Sequence, residues 1–80
     1  MKPELLLYKR KDCCLCDEMK RIIDAVARRI PLNVSEIDVD SAPELVQQYG
    51  NDVPVLFVNG RKAFKHRVTE RELERKLKRA

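Results

Sequence analysis

The first apolar block of the chain does not alternate. ELLLYK, residues 4–9, holds three leucines and a tyrosine between Pro3 and a run of charged side chains. Its continuity predicts a strand covered on both faces. A different period begins at Leu15. Apolar positions recur at Leu15, Met19, Ile22, Ile23, Val26, Ala27 and Ile30, while Asp17, Lys20, Arg21, Asp24 and Arg28 fall between them. Those steps trace one stripe of an amphipathic helix, with Asp12 offering the N-cap and Pro31 the stop.

Alternation returns in NVSEIDV, residues 33–39, which predicts a second strand with Ser35, Ile37 and Val39 on one face. Ser41 and Glu44 have the spacing of a capping box, and Leu45, Val46 and Tyr49 continue a short helix that Gly50 ends. VPVLFV and RKAFKHR then flank Asn59-Gly60, the strongest short signal for a hairpin, with His66 on its outer strand. Thr69 and Glu72 make a second capping box, opening a last helix whose Leu73 and Leu77 face inward.

The predicted order is β-α-β-α-β-β-α. A strand, helix and strand in succession imply a parallel pair joined by a right-handed crossover, and the hairpin adds an antiparallel edge. The expected fold is α/β, a three-layer α/β/α sandwich around a four-stranded mixed sheet. Eighty residues make a single domain, residues 1–80, without linkers or repeats. A chain of this size buries only about 60% of its unfolded surface, so its core is thin.

Small secreted domains offset a thin core with disulfides that staple distant segments. Here the three cysteines all fall within residues 13–16, where no bridge among them could do so. LLLY is too short for a signal-peptide core, and no apolar run approaches the roughly 18 residues of a membrane span. A cytoplasmic, reducing setting and a monomer without membrane partners are expected. The net charge of +4 is spread over interleaved acids and bases that make up 38% of the chain. That pattern describes a solvated surface, and nucleic acid is not expected as a partner.

The cysteines then become the candidate chemistry. Cys13 and Cys16 form a C-x-x-C motif where the first strand hands over to the first helix. Unpaired N–H groups and the helix dipole at that position favour a thiolate on Cys13, the attacking form of the sulfur. Lys9, Arg10 and Lys11 add cationic charge just upstream, while Asp12, Asp17 and Glu18 oppose it. Cys16, one turn into the helix, would resolve a mixed disulfide formed on Cys13. Cys14 is the surplus thiol, expected to point away. Two other readings stand beside this one. The cysteines could be small core hydrophobes, although a charged strand-to-helix turn suits that poorly. They could also hold a metal or an iron–sulfur cluster, for which zinc wants four ligands and the chain supplies one cluster plus the lone His66.

LLLYKRKDCCLCDE, EIDVD, VPVLFV and the Asn59-Gly60 turn into a last helix together resemble the glutaredoxin-like proteins of the thioredoxin superfamily. The likeness runs over essentially the whole chain, with small bacterial proteins reading C-x-L-C-D-E as its nearest pattern. It implies a thioredoxin-like fold and a thiol–disulfide oxidoreductase in which Cys13 attacks and Cys16 resolves. It also implies a cis Val53-Pro54 bond facing the dithiol, with the Val53 backbone free to pair with an extended substrate and Lys11 at the rim. The partners implied are a disulfide-containing protein or small thiol, and either glutathione or a reductase as electron donor. No cofactor is implied. The chain departs from glutathione-using glutaredoxins in two places. Cys14-Leu15 replaces their proline and aromatic residue, and residues 65–70, KHRVTE, contain no glycine where those proteins carry the Gly-Gly that, with an acidic residue, holds glutathione. It also lacks the Gly-Pro of thioredoxins, so the motif selects neither donor.

Overall fold

The computed structural model describes residues 2–79. Its elements are β1 (Glu4–Lys9), α1 (Cys14–Ala27), β2 (Asn33–Asp38), a 3-10 turn (Val39–Ser41), α2 (Pro43–Tyr49), β3 (Val55–Val58), β4 (Arg61–Lys65) and α3 (Glu70–Arg79). They form one four-stranded sheet in the order β2-β1-β3-β4. β1 pairs in parallel with β2 and antiparallel with β3, which pairs antiparallel with β4. The mixed sheet and the three helices are those the residue pattern predicts, in the thioredoxin-like arrangement that the resemblance implies. Among the described residues no helix is long and apolar enough to cross a membrane.

α1 and α3 cover one face of the sheet. Leu5 and Leu7 of β1 and Leu56 and Val58 of β3 meet Met19, Ile23 and Val26 of α1 and Leu73 and Leu77 of α3. Each such side chain contributes roughly 1.5–3 kcal/mol by leaving water. α2 lies on the other face, where Val39, Tyr49 and Val55 are buried beneath half-buried Tyr8, Leu45, Val53 and Phe57. Tyr8 and Tyr49 stack with ring centroids 4.4 Å apart, and Phe57 stands edge-on to both. A helix of seven residues cannot cover the whole face. β1 is therefore fully buried on one side only: Leu5 and Leu7 are enclosed, Leu6 is half-buried.

The hairpin forms as Asn59-Gly60 predicts, with both residues at positive φ, 49° and 84°. That matches the twist of the flanking strands. Asn59 also stitches the turn to β1, accepting the Glu4 N–H on its side-chain oxygen (2.9 Å) and donating its own N–H to the Glu4 carbonyl (2.7 Å). At α3 the capping box closes in both directions, Glu72 N–H to Thr69 Oγ1 (3.1 Å) and Thr69 N–H to Glu72 Oε1 (2.9 Å).

Three local expectations are corrected. Ser41 and Glu44 form no capping box. Asp38 caps the 3-10 turn by accepting the Asp40 N–H at 2.9 Å, so Ser41 is spent inside that turn. α2 then starts from Ala42 without a side-chain cap, and Pro43 fills its first turn, where a missing N–H costs nothing. The second strand accordingly ends at Asp38 rather than Val39. His66 leaves the outer strand altogether; it follows β4 with φ 68° and donates its N–H to the Pro54 carbonyl at 2.8 Å.

Candidate functional site

The site is assembled at one end of the sheet by strand register. Tyr8 pairs with Val55 across β1 and β3. The residues that leave β1, Arg10 to Cys13, therefore lie beside those that enter β3, Asp52 to Pro54. One loop brings the thiols and the other brings the Val53-Pro54 bond, which is cis.

Asp12, expected as the N-cap of α1, instead turns the chain at φ 55° and leaves the cap to Cys13. Cys13 has extended backbone, φ −114° and ψ 107°, and its Sγ accepts the Cys16 N–H at 3.2 Å. Its carbonyl accepts the Asp17 N–H at 3.1 Å, the first bond of the helix. A sulfur in the N-cap position faces the unpaired amides and the positive end of the helix dipole, both of which favour negative charge on it. Asp12, whose carboxylate would have opposed that charge as the cap, is exposed in the turn instead.

Cys13 and Cys16 are at disulfide distance, with Cα atoms 5.2 Å apart. The two differ in access. Cys13 is half-buried, whereas Cys16 is 3% exposed within the first turn. Cys14 is exposed and unpaired on the outer side of the helix start. Lys11 is exposed in the turn before the cysteines, and its charge acts on Asp40 together with that of Arg10. Val53 is half-buried, and among the described residues its backbone N–H and carbonyl make no hydrogen bond. Pro54 is buried. The Pro54 carbonyl is already taken by His66, so at this corner Val53 is the residue with backbone to offer.

Arg10 is the residue that pattern reading undervalued, as one more upstream cation. Its guanidinium grips Asp40 through Nε (3.2 Å) and Nη2 (2.7 Å) and reaches the Gly50 carbonyl through Nη1 (3.2 Å). That hydrogen-bonded pair holds the Asp40 carboxyl below the usual carboxylate range and the Arg10 guanidinium above its own. Arg10 is 30 residues from Asp40 and 40 from Gly50 along the chain, so no local spacing signals the tie. Nor do the described residues gather a metal site: no group of three His, Cys, Asp or Glu side chains converges on one point.

Beside this corner, a cavity of about 350 Å³ runs between α1 and the start of α3. Met19, Ile22 and Val68 supply its apolar part and Glu18, Arg21, His66, Arg67 and Glu72 its polar rim.

Residues 4–78 match the family model described as Glutaredoxin-like domain (DUF836). The "Glutaredoxin-like protein YDR286C homolog" of Dictyostelium discoideum is 36% identical over 72 residues, covering 82% of this chain and 67% of that protein. The X-ray structure of protein XcR50 from X. campestris superposes with a TM-score of 0.81 at 32% identity, over 95% of this chain and 97% of that one. Desulfothioredoxin from Desulfovibrio vulgaris Hildenborough, solved in solution in its reduced form, gives a TM-score of 0.71 at 26% identity, over 99% of this chain and 81% of that one.

Proposed function

The chain belongs to the glutaredoxin-like family, and on that premise we propose that it is a thiol–disulfide oxidoreductase working through Cys13 and Cys16. The observation that carries this reading is the pair itself: two sulfurs at disulfide distance, one of them the N-cap of α1. Cys13, the more accessible of the two, attacks one sulfur of a substrate disulfide as a thiolate. The S–S bond breaks, one half of the substrate leaves as a thiolate, and the other half stays on Cys13 as a mixed disulfide. Cys16 then attacks the Cys13 sulfur, passes its proton to the departing second thiol, and closes the Cys13–Cys16 disulfide. Two electrons have moved from protein to substrate, and an external thiol donor returns them. Val53 offers its free backbone to an extended substrate segment, Pro54 shapes the surface beside it, and Lys11 lies on the approach.

The helix start of α3 bears on the donor. Its Glu72 N–H is already bonded to the Thr69 hydroxyl, and the Glu72 carboxylate takes the Thr69 N–H. An anionic donor docking there would displace a hydrogen bond and meet like charge. This supports a reductase or protein thiol over glutathione as the source of electrons.

A Cys16→Ser variant incubated with a peptide disulfide tests the assignment. Mass spectrometry of the digested adduct is expected to find the peptide on Cys13. An adduct on Cys14 alone, or none, overturns it.

A further inference from the structure

Arg10 stands three residues before Cys13, at the start of the loop that carries the thiols. Its two anchors belong to the other side of the site. Asp40 is fixed in the 3-10 turn by its bond to Asp38, and Gly50 closes α2 through its N–H to the Val46 carbonyl at 2.8 Å. From Gly50 the chain runs directly into the Val53-Pro54 loop, with the Asp52 N–H donating to the Tyr49 carbonyl at 2.8 Å. Each loop is thus pinned at its strand end by the β1–β3 register and away from it by a single guanidinium.

We propose that Arg10 is a positioning residue, holding the dithiol loop and the Val53-Pro54 loop at a fixed spacing so that a substrate segment paired with Val53 meets the Cys13 sulfur. This rests on the exchange activity proposed above. Stability alone does not account for the arrangement. The Arg10 and Asp40 side chains are 35% and 48% exposed, a setting in which an ion pair adds little to folding. Charge on the sulfur does not account for it either, because Asp40 neutralises the guanidinium at 2.7 Å. What remains is geometry. The planar fork presents one edge to a carboxylate and a third N–H to a carbonyl on a different element, which the single ammonium of lysine cannot do. Reacting atoms tolerate little displacement, and an error of about 1 Å costs up to roughly 100-fold in rate.

The test compares the wild type with Arg10→Lys and Asp40→Ala in two assays. The first is the rate of reaction of the reduced protein with a small aromatic disulfide and with an extended peptide disulfide. The small reagent needs only the sulfur and is expected to react within about twofold of wild type, whereas the peptide reaction slows about tenfold in both variants. The second is amide hydrogen exchange, in which the Asp17 amide, bonded to the Cys13 carbonyl, and the Asp52 amide, bonded to the Tyr49 carbonyl, are expected to lose protection together while the buried core of α1 and α3 keeps its own. Wild-type behaviour of Arg10→Lys, equal slowing of both disulfides, or loss of protection in one loop only would overturn the proposal. If the wild type reacts with neither disulfide, it is the exchange activity that fails, and amide exchange still decides whether Arg10 couples the loops.

Discussion

On one face of the sheet ten side chains from β1, α1, β3, α3 and the turn before α3 are buried in a single apolar cluster. On the other, Val39, Tyr49 and Val55 are buried alone, and half-covered aromatics and polar ties complete the layer. The thick face has the redundancy to hold a small fold together, since many atoms share each contact. The thin face has little apolar area, yet it carries the 3-10 turn and the end of α2 that fix the loop opposite the thiols. In this chain fold stability and site geometry draw on different faces. A substitution that weakens one can leave the other nearly intact.

The largest expected effect comes from the thick face. Leu73 is fully buried between α3 and the sheet. Leu73→Ala is predicted to cost about 2–5 kcal/mol in urea melts. A domain of this size has about 4–12 kcal/mol in total, so that loss removes a large share of it. Leu45, half-buried over the thin face, should lose half as much or less on the same substitution. Equal losses from the two would break the distinction between the faces.

Gly50 comes next, and it probes the thin face through its backbone. A methyl group there would collide with the Val46 carbonyl oxygen, and the Val46 Cγ1 atom is 3.3 Å away. The end of α2 must shift to admit it. Gly50→Ala is expected to cost about 1–3 kcal/mol, as overpacking does elsewhere. That shift would also draw the Gly50 carbonyl away from Arg10, which amide exchange at Asp17 and Asp52 would report as lost protection.

How far the residues announce all this depends on the range over which each contact acts. The stripe from Leu15 to Val26, the Asn59-Gly60 turn and the Thr69–Glu72 box are local, so spacing alone places them. Ser41 and Glu44 have the same spacing and fail, because Asp38 competes for the turn and Pro43 resets the helix start; the competitor lies outside the motif. Asp12 fails as a cap for a related reason: its φ of 55° is set by the path of the loop. The C-x-x-C motif reveals the dithiol, but not that the Cys13 sulfur is itself the cap. The tie from Arg10 to Asp40 and Gly50 joins three loops and leaves no periodic trace.

The two capping boxes allow a finer test of the same point. Thr69→Ala removes a hydroxyl that accepts the Glu72 N–H at 3.1 Å, and about 1 kcal/mol of stability should go with it. Ser41→Ala removes one that caps nothing, so a change within about 0.5 kcal/mol is expected. A thermal melt showing the reverse order would mean that Ser41 takes up the capping role in solution.

The smallest effect is electrostatic and separates the faces by pH. Glu36 on β2 is held below the ordinary carboxylate range, first by its hydrogen bond to Lys9 and then by Lys20 of α1. A carboxylate whose folded pKa is depressed adds stability above its unfolded value, near pH 4, and loses it as pH falls through the folded value. Glu36 ties β1, β2 and α1 at the edge of the main core, so its contribution should appear in global unfolding. Urea melts from pH 7 to pH 3 are expected to show an acid loss that Glu36→Gln reduces by about 0.2–1 kcal/mol, the range of partly exposed pairs. Asp40 is depressed in the same direction by Arg10, but its partners are loops rather than core elements. Acid should therefore release the Asp17 and Asp52 amides in exchange while barely moving the global transition. If Asp40→Asn instead flattened the global acid loss as much as Glu36→Gln does, the loops on the thin side would be part of the cooperative fold, and site geometry could not vary independently of stability.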